Sequence, residues 1–530
     1  EGAVAERARR AAHRPEGEGG GVMRATILSF AALTALVACG GSPAPGPVVA
    51  PVPSARTTPV ASAAPDDPLG PRPEVAQPST FVPPAPVVFT TSNGMTVWFI
   101  ERHTLPVVSV TVAMPYGASS DPKGAAGLAR ITSDMIDEGA GKLGAIDLRK
   151  AVDVLGAHLG TSSDADASYA SLTVLKRNVD KAMPLLGDVV ARPRFEAVEW
   201  KRVHDLWQND LKARASDPDA IARVVARVTL FGADHPYGHP WDGTVASAKA
   251  ITLKDVKKFH ETAWRPDRAT LIVVGDVTKD EMTKLVDTAF AGWKAPKVAP
   301  LPIVTPPVPT GPWPRVVVVD RPGAPQSVLS VVRPGVAASQ PDAAPLSRAN
   351  GVLGGSFGSR LNQDLREAHG YSYGAFSRLS FSRGVGMAIA SAGVFTPKTG
   401  DAMKAMLADM ADYAKSGPTD AEAERSRSQA RSDAVEEYES VHSIAGVLAA
   451  NAALGLAPEF EADELKRRDA ATRDDLAKLA ATYFDPSRSI VVIVGPRDVA
   501  EHAAADAGLP VPEARDADGN AVAKGAPSGR

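Results

Sequence analysis

The 530 residues contain a single cysteine, Cys39. That excludes an intrachain disulfide and any zinc site built from several thiolates. An excess of one charge is also missing, since 58 Lys and Arg face 61 Asp and Glu for a net charge of -3. Nucleic acid as a partner is thereby disfavoured, because it demands a basic face. Near the start, an apolar run from Ala25 to Ala38 follows Met23-Arg24. It is too short to span a bilayer and has the length of a signal-peptide core. What is present in quantity is apolar side chain, 44% of the total, which excludes wholesale disorder. A chain of this length predicts two or more domains.

The 45 prolines and 45 glycines are concentrated in a few stretches, and these mark boundaries. Residues 1–22, rich in Arg, Glu and Gly ahead of Met23, read as sequence upstream of the true start. Residues 23–38 read as a signal peptide. Residues 39–86 are Pro, Ala, Val and Ser with no helical or strand period, the composition of a semi-extended tether. A second Pro-rich stretch, VAPLPIVTPPVPTGP at 298–312, reads as an interdomain linker. Beyond Pro496 the chain turns Ala-, Asp- and Gly-rich, so 501–530 is expected to be a flexible tail, with one short helix and a frayed end in this region.

The segments between these boundaries, 87–297 and 313–500, share a repeat. Thr252 to Asp276 (TLKDVKKFHETAWRPDRATLIVVGD) aligns without a gap on Thr472 to Pro496 (TRDDLAKLAATYFDPSRSIVVIVGP), a constant offset of 220 residues. Each copy reads as an amphipathic helix, a Pro turn and a buried β-branched strand ending in Val-Gly. Val87 to Ile100 reads as a hairpin about Asn93-Gly94. Two homologous α+β halves are therefore expected.

Two resemblances refine this. Leu36-Val37-Ala38-Cys39 resembles the lipobox of bacterial lipoproteins. It implies lipidation at Cys39, and hence a location anchored in the cell envelope, on the periplasmic face of the outer membrane. The folded part, over roughly 85–497, resembles the pitrilysin/insulinase family of zinc peptidases. The matching motifs are Ser92-Asn93-Gly94-Met95-Thr96-Val97, Pro115-Tyr116-Gly117-Ala118, Asp121-Pro122, Gly124-Ala125-Ala126-Gly127-Leu128-Ala129, His235-Pro236-Tyr237-Gly238 and Val274-Gly275-Asp276. The family's fold implies that each half is a mainly antiparallel sheet with helices on one face, the halves facing each other as a clamshell.

In that family the helix after Gly-Leu-Ala carries His-x-x-Glu-His, two zinc ligands on one helical face with a general base between them. Here Arg130 and Asp134 fall at the histidine positions and Ser133 at the base. The last ligand, a Glu some seventy to eighty residues on, maps to Gln208 within a residue or so. A guanidinium has no lone pair to give and stays protonated. Ser133 cannot deprotonate water unaided. No zinc is therefore expected in this chain, and no hydrolysis by it alone. His235 and His239 flank a Pro-Tyr-Gly loop and read as local hydrogen-bonding groups, and His204 as an ordinary helical histidine. The Gly-rich Gly351 to Gly358 lacks the Lys-Ser/Thr of a phosphate loop and reads as a tight helix-packing segment.

The second half keeps another family motif. Arg366 and Tyr373, seven residues apart, match an Arg/Tyr pair that in the family contacts substrate opposite the zinc, with Tyr371 as an alternative for the tyrosine. Some bacterial members act as two-subunit peptidases in which one subunit has the metal motif and the other only the Arg/Tyr pair. The resemblance thus implies a catalytically inactive subunit that partners a zinc-bearing homologue and binds extended peptide. The alternative is a stand-alone peptide-binding or scaffold lipoprotein.

Overall fold

Thr252 and Thr472 open the two copies of the repeat with the same device. Each side chain accepts the backbone N–H three residues on, while Asp255 or Asp475 returns a bond to the threonine's own N–H. Helices Leu253–Ala263 and Arg473–Tyr483 follow, then 3-10 turns at Pro266–Arg268 and Pro486–Arg488, then strands Thr270–Gly275 and Ile490–Gly495. Every element keeps the 220-residue offset.

A computed structural model describes residues 81–522; Cys39, the signal peptide and nearly all of the tether lie outside them. The first half contributes strands β1 (Val87–Thr90), β2 (Thr96–Glu101), β3 (Val107–Met114), β4 (His158–Ser163), β5 (Ser168–Leu175) and β6 (Thr270–Gly275). The second contributes β7 (Val316–Asp320), β8 (Gln326–Pro334), β9 (Ser372–Ser380), β10 (Met387–Phe395), β11 (Ile490–Gly495) and β12 (Glu513–Ala514). The sheet orders are β1-β2-β6-β3-β5-β4 and β12-β7-β11-β8-β10-β9, so the halves match strand for strand. In both, the repeat strand lies parallel to one neighbour (β2 or β7) and antiparallel to the other (β3 or β8).

Each sheet packs its own helices on one face. The second face is also covered, by a helix from the other half. Four helices matter below: α1 (Leu128–Ile136), α2 (Ala197–Arg214), α3 (Pro218–Phe231) and α4 (Val441–Leu454). Helix α3 lays Ile221, Val225, Ala226 and Leu230 on Val317, Val319, Val328, Val492 and Val494 of the second sheet. Helix α4 reciprocates, with Ile444, Ala445, Leu448 and Ala449 on Trp98, Ile100, Ile272 and Val274 of the first. Burial on both faces is why β6 and β11 read as unbroken apolar runs, LIVV and IVVIV. At ~1.5–3 kcal/mol per buried aliphatic side chain, this exchange is a large share of what joins the halves.

A polar lock adds to it. Asp166, beside β5, accepts the Tyr237 hydroxyl at 2.6 Å and the Arg383 backbone N–H at 2.9 Å. The Arg383 guanidinium donates to the carbonyls of Val304, Pro115, Asp166 and Ala453 at 3.2, 3.3, 3.0 and 2.7 Å. Linker and both halves meet at one cation.

The linker at 298–312 is extended, without helix or strand. Of the tail expected at 501–530, residues 501–522 are described and carry structure. Helix Arg497–Asp506 is followed by β12, which lies parallel to β7, and Asp518 pairs with Arg214 at the end of α2 at 2.5 Å. Strand β12 fills the edge seat that β1 fills in the first half. No helix among the described residues is long and apolar enough to cross a membrane.

Candidate functional site

Helix α1 begins at Gly127, whose φ of 87° no β-carbon tolerates well. A Cβ there would also lie 2.8 Å from the Trp207 ring of α2. Ahead of it, the buried Asp121 carboxylate accepts the N–H groups of Gly127 and Ala129 at 2.7 and 2.8 Å, capping the helix. Burial pushes the Asp121 carboxyl up, and the adjacent His239 at 3.5 Å offsets this. Trp207, Val203 and Leu211 form the buried face of α2. Trp207 donates its indole N–H to the Asp242 carbonyl at 2.7 Å. These contacts fix where α1 and α2 present their other faces.

On α1, Arg130 Nε donates to Asp134 Oδ2 at 2.9 Å, the side chains being 42% and 18% exposed. The two positions aligned with histidines thus carry an ion pair. Ser133 is fully buried, and its carbonyl accepts the Thr161 hydroxyl of β4 at 2.7 Å. Among the described residues strand β4 is the terminal strand of its sheet, so the helix lies directly beside a sheet edge.

Gln208 does not join this pair. It donates to His204 Nδ1 at 3.0 Å, and His204 Nε2 donates to the Ala248 carbonyl at 2.7 Å. The residue of α2 that senses Arg130 and Asp134 is Asp210. Loss of water raises its carboxyl, Arg130 lowers it and Asp134 raises it again. Residues two apart on a helix face different ways, which is why shifting from 208 to 210 changes the neighbourhood. Asp210 lies seventy-six residues after Asp134, within the seventy to eighty that the resemblance allows, and reading the sequence did not single it out. Its carboxyl group was the available signal.

The donors present do not fit zinc. Zinc takes imidazole, thiolate or carboxylate, and here Asp134 is held by a guanidinium that would repel the ion. No group of three His, Cys, Asp or Glu among the described residues is arranged to hold a metal. His235 accepts from the Tyr237 N–H at Nδ1, a local bond, and donates from Nε2 to the Pro307 carbonyl of the linker.

In the second half, Arg366 lies in a wide helical turn, Gln363–Ala368. Its guanidinium sits 4.7 Å over the exposed Phe357 ring and 3.4 Å from Glu367. Tyr373 is 89% exposed on the edge strand β9. Tyr371 is stacked on His369 at 4.9 Å and packs against the core. Of the two tyrosines, 373 presents its ring to solvent. The Gly-rich segment forms a helical turn, Gly351–Gly355, that packs tightly on a strand: a Cβ at Gly354 would lie 2.4 Å from the Ser377 nitrogen of β9, and Asn350 bonds Ser377. Behind the Arg366 turn, Asp409 is raised to about 7 by burial and then by Asp364.

Comparison with known proteins agrees with this architecture. The family model described as insulinase (peptidase family M16) matches residues 96–230, and that described as peptidase M16 inactive domain matches 250–430. The chain belongs to the insulinase family, peptidase family M16. It is 28% identical over 329 residues to an uncharacterized zinc protease of Mycobacterium leprae, covering 61% of this chain and 73% of that protein. It is 25% identical over 289 residues to a non-peptidase homolog of Helicobacter pylori, covering 53% and 64%. A crystal structure titled as a peptidase M16 inactive domain from Pseudomonas fluorescens superposes with a TM-score of 0.72 at 26% identity, covering 78% of this chain and 98% of that one. Relatives thus include both a protein named as a protease and one named as a non-peptidase.

Proposed function

We propose that this protein is the non-hydrolysing subunit of a two-subunit peptidase, partnering a zinc-bearing homologue. The observation that carries the reading is the Arg130–Asp134 ion pair at the two histidine positions, with a buried serine in place of the base. Zinc resides in the partner. This chain supplies Arg366, whose planar guanidinium suits a peptide carbonyl, and Tyr373, whose side chain is presented to solvent. Extended peptide adds to the edge of β4 beside α1, with main-chain bonds giving affinity. Lipidation of Cys39 holds the protein on the periplasmic face of the outer membrane, with residues 39–86 as the tether.

The test is co-purification from native membranes, then peptidase assay of the complex with wild-type chain and with Arg366→Ala. The complex is expected to cleave peptides and the variant complex to lose at least tenfold, since an oxyanion-type donor contributes roughly 2.7–4 kcal/mol. Equal cleavage by both complexes removes the role given to Arg366. The absence of any zinc-bearing homologue in the purified material favours the stand-alone peptide-binding reading instead.

A further inference from the structure

We infer that the second sheet carries a side-chain subsite for peptide. An aromatic ring of an extended segment seats on Gly393, between Phe376 and Phe395, on the sheet face turned toward the other half. This rests on the peptide-binding reading above and deepens it, naming an aromatic residue as what the second half selects.

The placement follows from strand register. On β10, Ala390, Ala392 and Val394 are buried in the helix-packed core, so Ser391, Gly393 and Phe395 point the opposite way. Gly393 stands opposite Val328 of β8, a residue that helix α3 of the first half covers. Phe376 of β9 stands opposite Ser391 and shares its face. A Cβ on Gly374 would lie 2.7 Å from the Phe376 ring, so the ring leans along β9 toward the level of Gly393. A Cβ on Gly393 itself would meet no atom within 4 Å. Two rings thus flank a bare backbone floor. Phe376 and Phe395 are 48% and 57% exposed. With Phe357 and Tyr373 they are the only exposed Phe, Tyr or Trp side chains among the described residues.

The edge of β9 is closed to an added strand. The turn Gly351–Gly355 abuts it at the Ser377 nitrogen. Asn350 donates to the Ser377 carbonyl at 3.1 Å, and Asn362 accepts the Ala375 N–H at 3.4 Å. A peptide on this half is therefore read by its side chains. Asn362 also donates to the Phe357 carbonyl at 2.8 Å, and the Phe357 ring carries the stacked Arg366. One asparagine thus ties β9 to the cation proposed to hold a peptide carbonyl.

Size selects the occupant. Two phenyl rings about half exposed offer about 200 Å², whereas a stable interface between two copies of the chain needs ~800 Å² from each. One guest ring fits this area, and it can meet both walls in offset or edge-to-face contact.

The experiment uses the full chain and a fluorescein-labelled nonapeptide of alternating serine and alanine with phenylalanine at its centre, followed by fluorescence anisotropy. A second probe has alanine at the centre. Wild-type chain is expected to bind the phenylalanine probe roughly ten- to hundredfold more tightly, the burial of one ring. Gly393→Val places a side chain on the floor and suits a strand; it should erase the preference with the urea midpoint unchanged or raised. Phe376→Ser, which removes a wall and adds no bulk, should cut the preference as well. Equal wild-type affinity for the two probes, or a preference that survives both substitutions, overturns the subsite and leaves the peptide-binding reading standing. No binding of either probe overturns that reading and the inference with it. Dimerisation in sedimentation that Gly393→Val abolishes assigns the rings to a second copy of the chain and also overturns the subsite.

Discussion

The Arg383–Asp166 lock sets the relative position of the two halves, and Arg383→Met measures it. The guanidinium side chain is 8% exposed and the Asp166 carboxylate 4%. Methionine of similar length fills the space but withdraws every donor. Four carbonyls, on the strand end at Pro115, the 304 linker position, Asp166 and the end of α4, lose a charged donor at 2.7–3.3 Å. Asp166 keeps the Tyr237 hydroxyl and the backbone N–H, so its charge is bonded but no longer neutralised. Removing one partner of a buried ion pair costs about 3–5 kcal/mol, and each carbonyl left unbonded adds on the order of 1 kcal/mol where water cannot reach it. We expect a loss of about 4 kcal/mol. Asp166→Ala alone should cost a similar amount because it strands the arginine. The double variant should cost distinctly less than the two added together, as coupled residues do. Urea unfolding followed by tryptophan fluorescence provides the assay, since Trp98 and Trp313 lie in different halves. The lock also predicts that the single variants separate one transition into two as the halves uncouple. A loss under 1 kcal/mol with one unchanged transition would refute the reasoning.

Other expectations follow from the same geometry. Asp409 is raised to about 7 by burial and by Asp364, against about 3.9 in an unfolded chain. The folded state therefore holds that proton more tightly, a contribution complete below pH ~4 and lost as pH rises through about 7. Asp409→Asn should accordingly be more stable than wild type at pH 8, by about 1–2 kcal/mol after allowance for partial exposure, and the gap should narrow through pH ~5 and close near pH ~4; a pH-independent urea midpoint difference would contradict this. The triple variant Arg130→His, Ser133→Glu, Asp134→His should take up zinc using Asp210 as the last ligand. Its metal content should approach one atom per chain and fall when Asp210→Ala is added, whereas retention after Asp210→Ala would displace Asp210 from that role.

Much of the fold was legible because it rests on short-range signals. The capping threonines at 252 and 472, the proline turns and the β-branched runs specify helix, turn and strand in each copy without reference to the rest of the chain. The exchange of α3 and α4 was not legible, because an apolar helical face states that it is buried and not which sheet buries it. VHSIAGVLAANAAL is apolar on nearly every side, and only the assembled sheet face decides its seat. The two-residue β12 carried no pattern at all; backbone pairing to β7 and the Asp518–Arg214 ion pair hold it. At the site, Arg130, Ser133 and Asp134 could be located because one helical turn fixes their spacing. The position on α2 is not fixed in this way, since seventy-odd residues of intervening strand, loop and helix separate it from α1, and a difference of two residues turns the side chain to another face. The Arg366 turn fell between these cases: the motif was readable, whereas the stacking of Tyr371 on His369, which leaves Tyr373 as the exposed ring, depends on packing.

The most direct test is the zinc content of the purified wild-type chain after incubation with zinc and removal of unbound ion by desalting, read by atomic absorption. With a guanidinium paired to Asp134 where two imidazoles would have to stand, far less than one atom per chain is predicted, unchanged by Asp134→Asn. One tightly held zinc per chain, lost in that variant, would contradict the account.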